Sequence, residues 1–439
     1  AINVEDAVNR ELVMPANATT MHHLRKLLVP IVALAVVGAT APAVSTAAPT
    51  ESGGAPQPSG SGTSMVHVHS LGKATATEKA AQERRSLRLD ASTIARQTKR
   101  STDQVYADLV WQGVIGNEDQ RLATQYPKTY AGLRILSHAK RTVWLGFTGV
   151  APKVNLPSHT LATVASHQPL NETEMSQLTA EVARQATDSF NAESTVAADI
   201  VNGSIEVTVA KPKPTQADRV IRQLAADTVG TKSGSAQLKV VFDPRAKTKT
   251  EAASGGAKLE TPGTESLDCT SAFSVIKDGV TGMLTAQHCT SWFTHENFDG
   301  DSELSAMSIS STIGVNGDLL WYDTPTNEMP QFRADFRDLR KLNTAPGVIL
   351  GQWICQFGYG NGKSCDTVYR IGVSAGGINN LVALTHHFTT GGNSGGPWFN
   401  GNAGYGVHRG FTPIQFQDRS LFTPLNQVWP AFGASILLN

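Results

Sequence analysis

The chain has no excess of charge of either sign: 37 Lys and Arg stand against 37 Asp and Glu in 439 residues. Without a basic surplus there is no electrostatic case for a nucleic-acid partner. Cysteine is scarce, four residues in all, and no Cys-x-x-Cys pair occurs, which argues against a zinc site. The apolar run from Leu27 to Val37 is short and holds Pro30. It falls well below the roughly 20 residues a bilayer-spanning helix needs, so no stable membrane anchor is expected. His386 and His387 share their motif with no acidic or cysteine residue, and no metal or other cofactor is assigned.

What is present describes an exported, globular molecule. With 439 residues and 40% hydrophobic content, the chain exceeds one ordinary domain, and two folded units plus tails are expected. The neutral total hides an asymmetry: from Gly255 onward there are 10 basic against 15 acidic residues, and before it 27 against 22. Two such units would attract each other modestly, subject to salt. Met21 to Lys26 forms a basic start, Leu27 to Val37 the apolar run, and Ala41-Pro42-Ala43 or Ser45-Thr46-Ala47 a small-residue cleavage site. Residues 21–47 therefore read as a signal peptide, which places the mature protein outside the cell. Residues 1–20 do not fit that plan and form an uncertain extension, with Met21 the candidate start. Residues 48–76 read as a flexible linker, rich in Pro, Gly and Ser as far as Ser64, a composition that buries too little apolar surface to fold.

Helical patterning begins near Thr77. Further on, Thr142 to Phe147 places Val143, Leu145 and Phe147 on one strand face, and Asn171 with Glu174 opens a helix carrying Met175, Leu178, Val182 and Ala186. Ile205, Val207 and Val209 alternate as a strand, Thr215 caps a helix with Ile221, Leu224 and Ala225, and Leu238 to Phe242 closes the unit as a strand. Residues 77–251 thus read as a small α+β domain. The remainder, 252–439, reads as all-β: short strands, frequent Gly and Asn turns, and no long helical pattern before Leu425 to Phe432.

The chemistry concentrates in this second part. In Thr389-Thr390-Gly391-Gly392-Asn393-Ser394-Gly395-Gly396-Pro397, glycines flank one serine where backbone must approach a reacting carbonyl, and the amides of Gly392 and Ser394 are placed to form an oxyanion hole. Upstream lie His288, which ends the run Leu284-Thr285-Ala286-Gln287-His288, and Asp318, which follows Gly317 and precedes apolar residues that would bury it. The order His, Asp, Ser fits a triad in which His288 is the general base for Ser394 while Asp318 fixes its tautomer. Taken singly, each residue has a plainer reading: a packed histidine, a turn cap, a glycine hairpin. The four cysteines, Cys269, Cys289, Cys355 and Cys365, all lie in this part, and an even count in an exported protein reads as bridges.

These residues give a resemblance. From about Ser254 to Asn439 the chain resembles secreted bacterial trypsin-like serine peptidases of the streptogrisin and α-lytic protease type. Around the serine it is similar to glutamyl endopeptidases, which share the Thr-Thr-Gly-Gly-Asn-Ser-Gly run followed by Pro-x-Phe-Asn. The resemblance implies a double antiparallel β-barrel of chymotrypsin-like form, with His288 and Asp318 from the first barrel and Ser394 from the second. The pairing is expected to be Cys269 with Cys289, as in streptogrisins, and Cys355 with Cys365. Residues 77–251 take the position of a pro-region that assists folding and inhibits the finished enzyme. The partners implied are polypeptide substrates and the chain's own pro-region, with the protein acting as a monomer.

Glutamyl endopeptidases carry histidine where His408 falls and threonine where Thr389 falls, so the resemblance implies a pocket selecting Glu at P1, walled by the strand through His408, Arg409 and Gly410. Phe388, six residues before the serine, stands where a Lys- or Arg-selecting pocket would hold aspartate. Chymotrypsin-like or broad specificity is the alternative. Gln287, where alanine or glycine is usual, Asn393, where digestive trypsins have aspartate, and Arg409, where serine or tryptophan is usual, depart from the family pattern. Gln287 and Arg409 leave room for a catalytically silent fold used for binding. Lys249-Thr250-Glu251 precedes Ala252 and Gly255-Gly256, and the glycine pair resembles the start of mature streptogrisins, so self-cleavage after Glu251 is expected to leave Ala252 as the mature N-terminus.

Overall fold

The structure, a computed structural model, describes residues 66–72, 74–190, 194–209, 237–242, 249–250, 256–260, 267–289, 292–296, 303–323 and 328–439. The signal peptide, the extension before it, most of the linker, the Thr215 helix and the Glu251–Ala252 junction lie outside the described residues.

The N-terminal part opens with β1 (Val68–Ser70), α1 (Ala76–Thr98) and α2 (Thr102–Gln125). Both helices start at a capping box, Thr75 with Glu78 and Ser101 with Gln104, each satisfying orphan amides of the first turn reciprocally. There follow β2 (Tyr130–Ser137), β3 (Thr142–Phe147), β4 (Leu161–Ala165), α3 (Glu172–Phe190), β5 (Ser194–Asp199), β6 (Ser204–Val209), β7 (Gln237–Phe242) and β8 (Lys249–Thr250). Asn171 and Glu174 cap α3 in both directions, at 2.8 and 2.9 Å. Its buried face, Met175, Leu178, Val182 and Ala186, packs on Val196, Ile205, Val207 and Val209 of β5 and β6.

In the C-terminal part β9 (Lys258–Glu260), β10 (Leu267–Thr270), β11 (Ser274–Lys277), β12 (Val280–Thr285), β13 (Trp292–Glu296), β14 (Glu303–Gly314) and β15 (Gly317–Asp323) form one sheet, and a hairpin of β16 (Gln331–Asp335) and β17 (Asp338–Lys341) leads away from it. The second sheet is built from β18 (Trp353–Gly358), β19 (Gly362–Ala375), β20 (Ile378–Leu384), β21 (Pro397–Asn400), β22 (Ala403–Ile414) and β23 (Gln417–Pro424). These run β18-β21-β22-β23-β20-β19, and β19 pairs back onto β18, so hydrogen bonding closes a six-stranded ring. The first sheet is open among the described residues, extended by β24 (Ser435–Leu438) and β1 into nine strands. The helical pattern at Leu425–Phe432 resolves into a 3-10 turn, Leu425–Gln427, and a single short helix, α4 (Val428–Phe432), ended by Gly433 at φ 64°.

The N-terminal part does not form a core of its own throughout. Ala91 and Ile94 of α1 and Val105 and Leu109 of α2 share one apolar cluster with Phe273, Phe332, Phe357 and Phe399, and β5 extends the second sheet by pairing with β19 at Ser374 and Ala375. A buried charge cluster fastens α1 as well. Asp90, fully buried, takes both Nη atoms of Arg340 at 2.9 and 3.0 Å, the Lys363 ammonium, and the Gly401 amide at 2.6 Å.

About two helical turns away, Glu83 accepts the Asn402 amide at 3.0 Å. Burial pushes the Glu83 carboxyl up to about 7, aided by the Asp90 charge and opposed by the Asn402 bond and Arg340. A carboxyl raised in the folded state binds a proton that the unfolded chain has released. Its stabilising contribution is therefore full below 4.5, the ordinary value, and lost as pH rises through about 7. His138, pushed down to about 4 by burial, gives the opposite slope below 6.5. The difference between the unaltered chain and Glu83→Gln isolates the glutamate. Its urea midpoint advantage is expected to be present at pH 5 and absent at pH 8; equal midpoint shifts at both pH values would contradict this.

Candidate active site

The three candidate side chains come from the ends of strands in both sheets. His288 follows β12, Asp318 is the second residue of β15, and Ser394 lies in the loop before β21. His288 Nδ1 lies 2.6 Å from Asp318 Oδ2 and its Nε2 lies 2.9 Å from Ser394 Oγ, distances that permit proton transfer along the line. Asp318 Oδ1 accepts the backbone amides of Gln287 at 2.7 Å and His288 at 3.1 Å. The Gln287 contribution is a main-chain one, so its departure from the family pattern leaves this contact unchanged. Burial disfavours the Asp318 carboxylate, but the His288 hydrogen bond and the charges of His288 and Arg409 outweigh it, holding the carboxyl below its ordinary value.

The serine loop is tied on two sides. The Gly395 amide donates to the His408 carbonyl at 2.8 Å and the His408 amide to the Gly396 carbonyl at 2.9 Å, zipping the loop to β22. From the first sheet, Thr270 donates its amide to the Ser394 carbonyl at 2.7 Å and its hydroxyl to the Gly392 carbonyl at 3.2 Å. Gly395 has φ 82°, and a Cβ there would stand 2.2 Å from the Thr270 carbonyl oxygen; the close approach of strut and loop requires glycine. The disulfides are Cys269–Cys289 and Cys355–Cys365. The first joins the neighbour of Thr270 to the neighbour of His288, so one cross-link spans the supports of His288 and Ser394.

Asn393 is fully buried and its Nδ2 donates to Gln356 Oε1 at 3.0 Å and Asn361 Oδ1 at 2.6 Å. A carboxylate at this position would face two oxygens, which accounts for the amide. Thr389 is buried with its hydroxyl 3.2 Å from that of Ser420. His408 is buried and its Nδ1 accepts the Trp398 indole N–H at 3.4 Å, which leaves Nε2 of a neutral ring as the donor. Gly410 pairs with Thr250 of β8, and Phe411 with Lys249.

Arg409 does not join this wall. Successive side chains of a strand point to opposite faces, so while His408 turns toward Trp398, Arg409 turns the other way and donates Nη1 to Asp318 Oδ2 at 2.6 Å. Sequence reasoning also passed over Thr270, Trp398, Ser420 and Thr423, the last of which accepts the Asp318 amide on its hydroxyl at 3.0 Å. The indole beside His408 and the hydroxyl opposite Thr389 are brought in by other strands, and no local signal marks them.

No protein-family model matches the chain. Among curated proteins it is 27% identical over 174 residues to Serine protease 1 of Streptomyces fradiae, covering 38% of this chain and 48% of that protein. It is 24% identical over 179 residues to Glutamyl endopeptidase 2 of Streptomyces griseus, covering 39% of this chain and 93% of that protein. The chain thus spans about half the length of the first of these relatives. Among solved structures, a glutamic-acid-specific serine protease described as using a histidine triad in substrate binding is 21% identical, covering 42% of this chain and 98% of its own, with a TM-score of 0.35. Thermobifida fusca Protease A is 22% identical, covering 43% and 100%, also with a TM-score of 0.35. Part of the chain is therefore similar to bacterial serine proteases, a glutamyl endopeptidase among them.

Proposed function

We propose that this chain is a secreted serine endopeptidase made as a zymogen, with a preference for Glu at P1. The observation that carries the proposal is the proton-transfer line Ser394 Oγ, His288 Nε2, His288 Nδ1, Asp318 Oδ2, with spacings of 2.9 and 2.6 Å at its two hydrogen bonds. In the reaction proposed, His288 takes the Ser394 proton as Oγ bonds to the substrate carbonyl carbon. The Gly392 and Ser394 amides hold the resulting oxyanion. His288 then returns the proton to the leaving amine, and water, activated in the same way, hydrolyses the acyl-enzyme. The chain needs no cofactor for these steps.

The zymogen reading draws support from β8. Lys249 and Thr250 lie antiparallel on β22, the strand of His408 and Gly410, as an extended peptide adds to a sheet edge, and the next residue in the chain is Glu251. The N-terminal α+β part, packed on the peptidase core through α1 and β5, fits an intramolecular inhibitor and folding assistant. A β-rich fold with many distant contacts folds slowly and gains from such a partner. The disulfides fit an extracellular destination.

Preference for Glu draws support from His408, whose Nδ1 is engaged by Trp398 and whose Nε2–H is then a donor for a substrate carboxylate. A peptide series differing at P1 alone tests it: Glu is expected to exceed Gln and Phe in kcat/KM. His408→Leu should lower the Glu value about 10- to 100-fold, the loss of one hydrogen bond to a charged group, with little change for Phe. A flat P1 series, with His408→Leu affecting every peptide equally, would leave broad specificity in its place.

A further inference from the structure

Asp318 is fully buried, and its Oδ2 is shared by two nitrogens, His288 Nδ1 and Arg409 Nη1, each at 2.6 Å. Arg409 is 4% exposed, and its Nε has no hydrogen-bond partner among the described residues. A buried guanidinium with an orphaned donor costs stability, so packing alone does not account for it. Of the side chains around the carboxylate, His288 and Arg409 are the ionisable ones bonded to it; Thr423 contributes a hydroxyl to the Asp318 amide and Ser394 stands beyond the imidazole.

We infer that Arg409 is a positioning residue that holds the Asp318 carboxylate and, by neutralising it, weakens its attraction for a charged His288, so that the imidazole stays available as a base in more acidic solution. An unopposed carboxylate favours the protonated ring; a permanent cation on the same oxygen subtracts from that effect. Arginine is suited to this because it stays charged across the working range. The arrangement extends activity toward low pH at some expense of imidazolium stabilisation in the transition state.

The inference rests on the serine-peptidase reading. Its test is the pH dependence of fluorophosphonate labelling after release of the N-terminal part, in the unaltered protein and in Arg409→Gln, Arg409→Met and Arg409→Lys. In a neutral variant the acid limb of the labelling rate is expected to move upward by about one pH unit, a roughly tenfold loss at the foot of the limb. Arg409→Lys is expected to hold the limb near its original position. Two neutral replacements are included because either folded one suffices. Acid limbs that coincide in all folded variants would reduce Arg409 to a structural residue, as would a lysine variant that shifts as far as the neutral ones. Failure of the unaltered protein to label at any pH, both before and after release of the N-terminal part, would instead remove the peptidase reading itself.

Discussion

Replacing Ser394 by Ala is expected to abolish covalent labelling by a fluorophosphonate and to lower peptide hydrolysis by about 10⁶-fold, the scale on which triads lose kcat when the nucleophile is removed. The side chain is buried, and its backbone is held from both sheets by Thr270, His408 and the glycines beside it. Removing one oxygen leaves those supports in place, so the unfolding midpoint should change little. His288→Ala is expected to cost nearly as much turnover, because without the Nε2 acceptor 2.9 Å away the hydroxyl stays protonated. The two losses should not add, since the groups act as one unit. The same variants bear on processing. If Glu251–Ala252 is cut by the chain itself, Ser394→Ala should accumulate with residues 249–252 intact, and a mature terminus at Ala252 in that variant would assign the cut to another peptidase. A catalytically silent fold predicts the reverse pattern: no labelling before the substitution, even once the N-terminal part has been released, and no change after it.

That His288, Asp318 and Ser394 of the candidate site would meet was legible in the sequence because the proposed chemistry calls for unusual local composition. Three glycines within five residues around Ser394, a histidine ending an apolar strand, and an aspartate after a turn glycine each have few alternatives once they occur in that order. Strand alternation was legible too: Thr142 to Phe147 is β3, and Ile205, Val207 and Val209 fall on β6. What escaped is information that local pattern does not hold. Arg409 adjoins His408 in the chain, and reading both toward the substrate ignores the strand period that sends them to opposite faces. Asp90 sits in Arg88-Leu89-Asp90 and reads as part of a solvated helix face, yet its partners Arg340, Lys363 and Gly401 lie more than 240 residues away. Thr270 carries no motif, and its importance comes entirely from the loop that docks on it. Long-range contacts decide these roles.

Asp90→Ala is expected to lower the stability of the full chain by about 3 to 5 kcal/mol, the range seen when one partner of a buried ion pair is removed. Arg340 and Lys363 would be left 2% and 4% exposed with their shared carboxylate gone. Asp338, which reaches Arg340 at 2.6 Å, compensates one cation, whereas the ion pair of Lys363 among the described residues is with Asp90. The charge of Arg340 and Lys363, with their hydrogen bonds, overcomes the burial of Asp90 and keeps its carboxyl below the ordinary value, so the loss should persist across neutral pH and appear as a lowered urea midpoint. Performing the measurement in the Ser394→Ala background keeps the chain whole. A triple replacement, Asp90→Leu with Arg340→Met and Lys363→Met, distinguishes an uncompensated charge from lost packing, because apolar groups of similar volume often match or exceed a buried ionic cluster. Recovery of most of the midpoint in the triple variant is expected. A triple variant as unstable as Asp90→Ala would show that the cluster contributes through geometry, by aligning α1 on the β16–β17 hairpin and the β21–β22 turn, and not through the energy of depriving Lys363 and Arg340 of the carboxylate they share. In either outcome, separating α1 exposes apolar Ala91 and Ile94 and at the same moment removes the carboxylate that Arg340 and Lys363 share.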